Sequence, residues 1–227
     1  MINLLYFIVA GVIGYFCGAI PFGFIYVRLF TGKDLRTIGS GRTGGTNSMR
    51  AGGKKVGVLT GFSDVFKGVL AIWLTNLLLS NAFGSDLLPW GHALAGTMAV
   101  IGHNWSIFLN WGGGAGTGPN VGWATAIWWP MLPVAILVMF LMLVGVGMAS
   151  VASMTMGLII PIAFLLLYLT QTGTYDITWA YVVAGVVTEL IVLWALRPNI
   201  RRLFNGTERV VGPRAKRMQA RQDASDT

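Results

Sequence analysis

The chain has 227 residues, of which 55% are hydrophobic and 11% are charged. Apolar runs of about eighteen or more residues recur along it, which excludes a soluble globular domain and indicates an integral membrane protein. The net charge of +8 does not indicate nucleic-acid binding, because every Lys and Arg lies in region 28–67 or from 197 onward. The single cysteine, Cys17, excludes intramolecular disulfides and is expected to be a small packing residue.

The apolar segments predict an all-α protein with seven membrane-spanning helices. A long apolar stretch, 117–147, is split at Trp128-Trp129-Pro130, because aromatic residues favour a membrane interface and proline favours a helix start. The two short helices that result must be tightly held or must thin the bilayer locally. The other five segments lie near 4–29, 57–81, 87–110, 150–170 and 178–196.

The distribution of charge predicts the orientation of these helices. Residues 68–196 contain no Lys or Arg, and their loops carry Asp86 and Asp176 instead. By the positive-inside rule, the basic loop 28–55 and the basic C-terminal region are both cytoplasmic, so the N-terminus lies outside. We expect one transmembrane domain over 1–209, followed by a basic, mobile cytoplasmic tail over 210–227. The first apolar run lacks signal-peptide features and is expected to remain as a span.

This topology brings three unusual polar segments to the cytoplasmic face. The first, 39–53, combines glycines with short hydroxyl and amide side chains and with the cations Arg42 and Arg50. That composition is typical of a phosphate cradle, in which backbone N–H groups, hydroxyls and a guanidinium surround an oxyanion. A flexible basic loop beside anionic lipid head groups is the alternative.

The second polar segment, "GGGAGTG" at 112–118, precedes a predicted helix. A glycine-rich turn that enters a helix N-terminus presents N–H groups and a positive dipole end to an anion. The segment carries no cation, so its glycines could instead serve a tight re-entry of the chain into the bilayer. The third segment, "RPNIRRLFNGTER", spans 197–209.

Ionisable residues also occur within the predicted spans. Asp64 and Lys67 are three positions apart on one helix, so they share a face and can form either a functional or a structural ion pair. His103 is placed for phosphate or proton chemistry near the cytoplasmic end of its helix, whereas His92 is expected to be an interfacial or packing residue. Glu189 is isolated in the last span, and its role stays open.

Four segments, taken in order, resemble the motifs of the bacterial membrane acyltransferases that use acyl phosphate to acylate glycerol 3-phosphate. "GSGRTGGTN" resembles that family's S-G-N-x-G-A-T-N, and "SDVFKG" resembles its D-x-x-K-G. "GHNWSIFLNWGGGAG" resembles G-H-x-x-P-x-F-x-x-F-x-G-G-K-G, and "RPNIRRLFNGTE" resembles the closing motif H-R-x-N-I-x-R-L-x-x-G-x-E. The similarity extends over about residues 4–209.

The resemblance implies attack of the sn-1 hydroxyl of glycerol 3-phosphate on an acyl phosphate, giving lysophosphatidate and phosphate. It implies a multi-pass protein of the bacterial cell membrane that needs no metal or organic cofactor. Carried over by position, it implies catalytic roles for Ser40, Arg50, His103 and Asn199. Substrate or phosphate binding is assigned to Gly41, Arg42, Thr46, Asn47, Lys67, Gly113, Gly114 and Gly116.

The sequence also departs from the family pattern. The motif lysine is Ala115 here, the closing histidine is Leu196, and the motif proline is Ser106. Arg42 stands where the first motif has asparagine and is a candidate to replace the missing lysine charge. Two main hypotheses follow: a divergent acyltransferase, or a non-catalytic relative that binds lipid or a membrane-complex partner. A small transporter has less support, because no internal repeat is evident.

Overall fold

The computed structural model describes residues 2–171 and 175–225, and within them the regular structure is helical. Two short 3₁₀ turns, Leu35–Thr37 and Ile107–Leu109, lie between the helices. The eight α-helices are α1 (Ile2–Ala19), α2 (Phe22–Thr31), α3 (Gly45–Asn104), α4 (Thr117–Ile127), α5 (Met131–Gly145), α6 (Ala149–Thr170), α7 (Trp179–Phe204) and α8 (Gly212–Ser225).

Four helical segments of the described chain are long and apolar enough to cross a membrane. α5 is also apolar but has only 15 residues. These segments confirm the prediction of an all-α integral membrane protein. The four segments are Asn3–Thr31, Gly45–Asn104, Ala149–Thr170 and Trp179–Phe204.

α3 is 60 residues long, and the backbone departs from helical geometry at Gly53 and Gly84. Both glycines have positive φ, a conformation that side-chain-bearing residues adopt at a cost. The chain reverses at Gly84, because Lys67 Nζ lies 2.7 Å from His103 Nδ1 although a straight helix would separate residues 36 positions apart by about 54 Å. The two sides of Gly84 therefore correspond to the separate predicted helices 57–81 and 87–110.

Three predicted boundaries differ from the structure. The first span is interrupted between Ala19 and Phe22, where Pro21 cannot donate the backbone hydrogen bond that would continue α1. The segment 39–53 is a loop only in its first half, because α3 begins at Gly45, and the helix predicted to reach residue 110 ends at Asn104.

The break predicted at Trp128-Trp129-Pro130 is confirmed, since α4 ends at Ile127 and α5 begins at Met131. Most of the segment predicted to be a tail forms α8, and Val211, just before this helix, donates from its backbone N to Gly147 O in the turn before α6. Its mobility stays a prediction.

Close packing of α1 against the second half of α3 sets the spacing of the helices. A Cβ atom at Gly14 or Gly18 would clash with the backbone of Ala95 or Ala99, so these positions need glycine. Cys17 is buried in the same contact, as predicted for a packing residue. The largest apolar cluster surrounds Trp123, whose ring centroid lies 5.4 Å from that of Phe164 on α6.

Candidate active site

Asp64, Lys67 and His103 form a buried group that we call the inner ion cluster. Lys67 Nζ lies 3.0 Å from Asp64 Oδ1 and 2.7 Å from His103 Nδ1, and it donates a third contact to the carbonyl of Ile20 at 3.0 Å. The three side chains are between 1% and 5% exposed. The ion pair predicted from the spacing of Asp64 and Lys67 is therefore present, and it fastens both halves of α3 to the end of α1.

Glycines of the second polar segment pack directly against this cluster. A side chain at Gly114 would collide with Nε2 of His103, and one at Gly118 would collide with Cβ of Asp64. Gly113 packs on the His103 carbonyl, and Gly114 N donates to that same oxygen at 3.0 Å. The glycine-rich segment thus lies directly against the inner ion cluster because it lacks side chains there.

Asn47 organises the loop that precedes α3. Its Oδ1 accepts from Ser40 N at 3.2 Å, and its Nδ2 donates to the carbonyls of Ile38 and Arg42, each at 2.9 Å. The side chain is 2% exposed. Asn47, expected to bind substrate, directs its polar atoms to the loop backbone and holds the loop in shape.

Other predicted residues of the first polar segment, in the loop and in the first turns of α3, face outward. Ser40, Thr46 and Arg50 are exposed, and Gly41 adopts a φ of 70° in the turn that Gly41 N closes onto Ile38 O. The stem of Arg50 runs beside Gly39. These hydroxyls and the guanidinium are accessible to a ligand at the surface of the loop.

Arg42 points to the other end of the chain, into a group that we call the rim network: Arg42, Ser150, Asn199, Arg202 and Glu208. Arg42 Nη1 donates to Asn199 Oδ1 at 2.6 Å, and its Nη2 donates to the carbonyl of Ala195 on α7. Asn199 Nδ2 in turn donates to Glu208 Oε1 at 2.7 Å. The structure therefore brings the first and third polar segments together.

Glu208 is the centre of the rim network. Its carboxylate accepts from Ser150 Oγ at 2.7 Å and from Arg202 Nε at 2.9 Å, besides the bond from Asn199. Burial alone would raise the pKa of Glu208, but these hydrogen bonds and the Arg202 charge outweigh it and hold that pKa below its ordinary value. The carboxylate is thus ionised at neutral pH.

The Arg42 guanidinium is half-buried and keeps unused donors. Burial, with a smaller contribution from Arg202, lowers the pKa of Arg42, and Glu208 opposes that shift. Arginine stays charged under these conditions. Two of its five N–H groups are used within the protein, so three can bind an anion.

The second polar segment joins the first through the backbone. Thr43 N donates to Gly113 O at 3.3 Å, which places the residue next to Arg42 beside the glycine-rich segment. Gly116, with a φ of 82°, is the N-cap of α4, whose first N–H groups have no carbonyl partners within the helix. The first polar segment thus contacts the second through Thr43 and Gly113 and the third through Arg42 and Asn199.

The positions that depart from the family motifs have local explanations. Ala115 is partly buried against the main apolar cluster, and Leu196 is a core residue of that cluster at 2% exposure. Ser106 Oγ donates to Ala19 O at 2.6 Å, and Ser106 N donates to Gly112 O at 3.0 Å, a bond that proline lacks the hydrogen to form.

Sequence reasoning missed Ser150, Arg202 and Glu208 as members of this site. Arg202 and Glu208 lie within the closing motif "RPNIRRLFNGTE", so the motif itself could have identified them as site residues. Ser150 lies in an apolar context, and nothing in its neighbourhood distinguishes it from a packing serine. Within the described residues, no group of three or more His, Cys, Asp or Glu side chains is arranged to hold a metal ion.

Comparisons with known proteins identify the family. Residues 8–206 match the family model described as glycerol-3-phosphate acyltransferase. A glycerol-3-phosphate acyltransferase of Synechococcus sp. (strain CC9902) is 37% identical over 205 residues, covering 90% of this chain and 94% of that protein. Glycerol-3-phosphate acyltransferase 2 of Moorella thermoacetica is 36% identical over 211 residues, covering 92% and 99%.

Two solved structures share the fold. Both are crystal structures of PlsY (YgiH), described as an integral membrane glycerol 3-phosphate acyltransferase, in its glycerol 3-phosphate and lysophosphatidic acid forms. Their TM-scores are 0.76 and 0.75, with 29% and 27% identity, and each match covers 91% of this chain and at least 95% of the other. By sequence and by fold, this chain belongs to the glycerol-3-phosphate acyltransferase family.

Proposed function

We propose that this protein transfers an acyl group from acyl phosphate to the sn-1 hydroxyl of glycerol 3-phosphate. The hydroxyl oxygen bonds to the acyl carbon, the bond from that carbon to the phosphate oxygen breaks, and lysophosphatidate and phosphate are released. The names of the relatives support the acceptor and the enzyme class. The acyl phosphate donor rests on the motif resemblance.

The observation that carries this proposal is the meeting of Arg42, Asn199 and the glycine-rich segment. Both substrates are phosphates. Arg42 offers a guanidinium with three donors not used within the protein, and the adjacent Thr43 is bonded to the glycine-rich segment that leads into α4. Acyl phosphate is already activated, so the enzyme needs no covalent nucleophile. Positioning and charge stabilisation by fixed donors supply the acceleration.

The geometry supports different roles for the residues named from the sequence. Arg42 and Arg50 bind phosphate oxygens, with Ser40, Thr46 and the backbone near Gly41 completing the cradle. Asn199 orients Arg42. Lys67 and His103 act indirectly, because their charged and polar atoms face one another and they hold Gly113 and Gly114 in place.

We further propose seven spans, with the N-terminus outside and the three polar segments on the cytoplasmic side of a bacterial cell membrane. The reversal at Gly84 and the break after Ile127 support that count, with Asn3–Thr31 as one span. The contacts among the polar segments support their location on one face. Residues 1–209 would form the single catalytic domain, followed by the basic tail.

The non-catalytic alternative is not favoured. The relatives are named as enzymes, and they match this chain over nearly their whole length. Arg42 also provides a cation at the site, although Ala115 does not. No partner complex is needed to account for the polar segments. Glycerol 3-phosphate, acyl phosphate and membrane lipid are the proposed interaction partners.

The test is a phosphate-release assay on purified protein in detergent or nanodiscs. Acyl phosphate is supplied with and without glycerol 3-phosphate, with acyl-coenzyme A as a second donor in parallel. We expect phosphate release that depends on glycerol 3-phosphate, with lysophosphatidate as the lipid product. Folded protein that makes no lysophosphatidate from either donor would refute an acyltransferase function, and product from acyl-coenzyme A alone would refute the proposed donor.

A further inference from the structure

A groove of about 390 Å³ opens at the end of the helices opposite to the candidate active site. It is lined by residues of α3 on both sides of Gly84, by the last residues of α4 and by the residues that lead into and begin α7. We call it the distal groove and define it by six of its lining residues: Trp73, Asn76, His92, Tyr175, Asp176 and Tyr181.

Packed side chains separate the distal groove from the active site. Tyr181, at the back of the groove, has its ring centroid 5.8 Å from that of Phe164, which packs on Trp123 at 5.4 Å. Trp123 is fully buried and fills the space beside Gly68 and Gly96. The groove is therefore a separate feature and not an extension of the phosphate site.

The polar groups of the distal groove have the character of a cation site. Asp176 is exposed at its mouth, and residues 68–196 provide no Lys or Arg to neutralise this carboxylate. Asn76 is exposed on the same side of the helix as Trp73, whose ring is 56% exposed. A carboxylate, an amide oxygen and aromatic faces together are the groups that proteins use to bind an organic ammonium ion.

A buried histidine also lines this groove. His92 is 8% exposed, its Nδ1 lies 3.3 Å from the Tyr181 hydroxyl, and its Nε2 has no hydrogen-bond partner in the protein. The remaining lining, which includes Val69, Ile72 and Ile127, is apolar. An occupant must therefore match a polar mouth and an apolar wall, as a membrane lipid does and a soluble cation does not.

We propose that the distal groove binds a phospholipid whose head group carries a primary ammonium group, with that group against Asp176 and Asn76. This proposal depends on the membrane location of the chain and not on its acyltransferase activity. The bound lipid would contact both halves of α3, the end of α4 and the start of α7, and so would tie together the helices that carry the active site.

The experiment is native mass spectrometry of the full-length protein with phosphatidylethanolamine or phosphatidylglycerol of identical acyl chains. We expect wild-type protein to retain phosphatidylethanolamine at least about 5-fold more than phosphatidylglycerol. Asp176→Asn should abolish that preference, whereas Asp86→Asn, which removes another exposed carboxylate of region 68–196, should keep it. Equal retention of the two lipids by the wild type, or an unchanged preference in Asp176→Asn, would overturn the proposal.

A second variant keeps the test independent of any folding defect in Asp176→Asn. Trp73→Ala removes an exposed ring whose loss creates no internal cavity, and it should lower phosphatidylethanolamine retention by about 3-fold. Retention at the wild-type level in a well-folded Trp73→Ala protein would count against the groove as the binding site. Lysophosphatidate formation is measured on the same samples, so that loss of lipid preference is distinguished from loss of activity.

Discussion

The inner ion cluster and the rim network both hold charges away from water, but they differ in what their charged groups face. Lys67 is 1% exposed, and its three contacts are all with the protein. Arg42 is half-buried and spends only two of its five donors on α7. The inner ion cluster is enclosed by protein, whereas the rim network leaves part of the Arg42 guanidinium exposed.

This difference separates a structural role from a binding role. A fully enclosed ion pair adds little favourable energy but becomes very costly when one partner is removed. A guanidinium held in place by Asn199 and still able to donate is ready to bind an oxyanion without further ordering. We therefore expect damage to the inner ion cluster to unfold the protein, and damage at the loop surface and the rim to lower turnover.

The largest effect is expected from Lys67→Met. This change leaves the Asp64 carboxylate buried without its cation, which costs about 3–5 kcal/mol and should sharply lower the unfolding temperature and the yield of folded protein. The double variant Asp64→Asn with Lys67→Met removes both charges and should recover much of the loss. Thermal unfolding in detergent measures both, and equal stability of the single and double variants would contradict the assignment.

Arg50→Ala should come next, with an effect on activity and little on folding. Arg50 is exposed and, in the proposed function, supplies a cation to the phosphate cradle, so its loss should lower kcat/KM for glycerol 3-phosphate by about 100-fold, or about 2.7 kcal/mol. Lys54→Ala, another exposed cation just past the break at Gly53, is the matched control and should stay near wild type. Equal losses in the two variants would mean that only general positive charge matters.

Glu208→Gln tests the rim network through pH. Because the pKa of Glu208 is lower in the folded protein than its ordinary value of 4.5, the carboxylate stabilises the fold above that value, and this contribution disappears as the pH falls through the folded pKa. The variant should be about 2 kcal/mol less stable than the wild type at pH 7. Its stability should also decline less than that of the wild type as the pH becomes acidic.

The measurement is the unfolding temperature of both proteins between pH 7 and pH 3.5. Asp34 keeps a separate acid response in both, because hydrogen bonds from Arg36 hold its pKa at about 2. Parallel curves for wild type and Glu208→Gln would exclude an ionised Glu208 as the centre of the network.

The smallest effect is expected from Ser106→Ala. It removes the hydroxyl bond to Ala19 O, worth about 1 kcal/mol, while the backbone bond to Gly112 remains. Stability should fall slightly and turnover should stay close to wild type. A large loss of turnover would show that Ser106 does more than fasten α1 to the turn after α3.

The sequence was sufficient to predict that the polar segments lie together. Charge placement assigned them to one face, and the observed contacts between Arg42 and Asn199 and between Thr43 and Gly113 agree with that prediction. The spacing of Asp64 and Lys67 likewise predicted their ion pair, because residues three apart share a helix face.

The directions of individual side chains could not be predicted from the same information. Asn47 and Arg42 lie five positions apart in one polar segment, yet Asn47 turns into the loop and Arg42 reaches across to α7. Which way each points depends on acceptors supplied by distant parts of the chain, such as the carbonyl of Ala195. Composition identifies phosphate-binding groups, whereas tertiary contacts decide which of them remain available to a ligand.

In the proposed function, Arg42 supplies the phosphate-binding charge that this chain lacks at Ala115. The most direct measurement is lysophosphatidate formation by Arg42→Asn, by Ala115→Lys and by the double variant, each checked for folding. We expect about a 100-fold loss in Arg42→Asn. The double variant should recover substantially, because the lysine at position 115 restores a cation from the glycine-rich segment. Wild-type turnover in folded Arg42→Asn would show that Arg42 does not supply this charge.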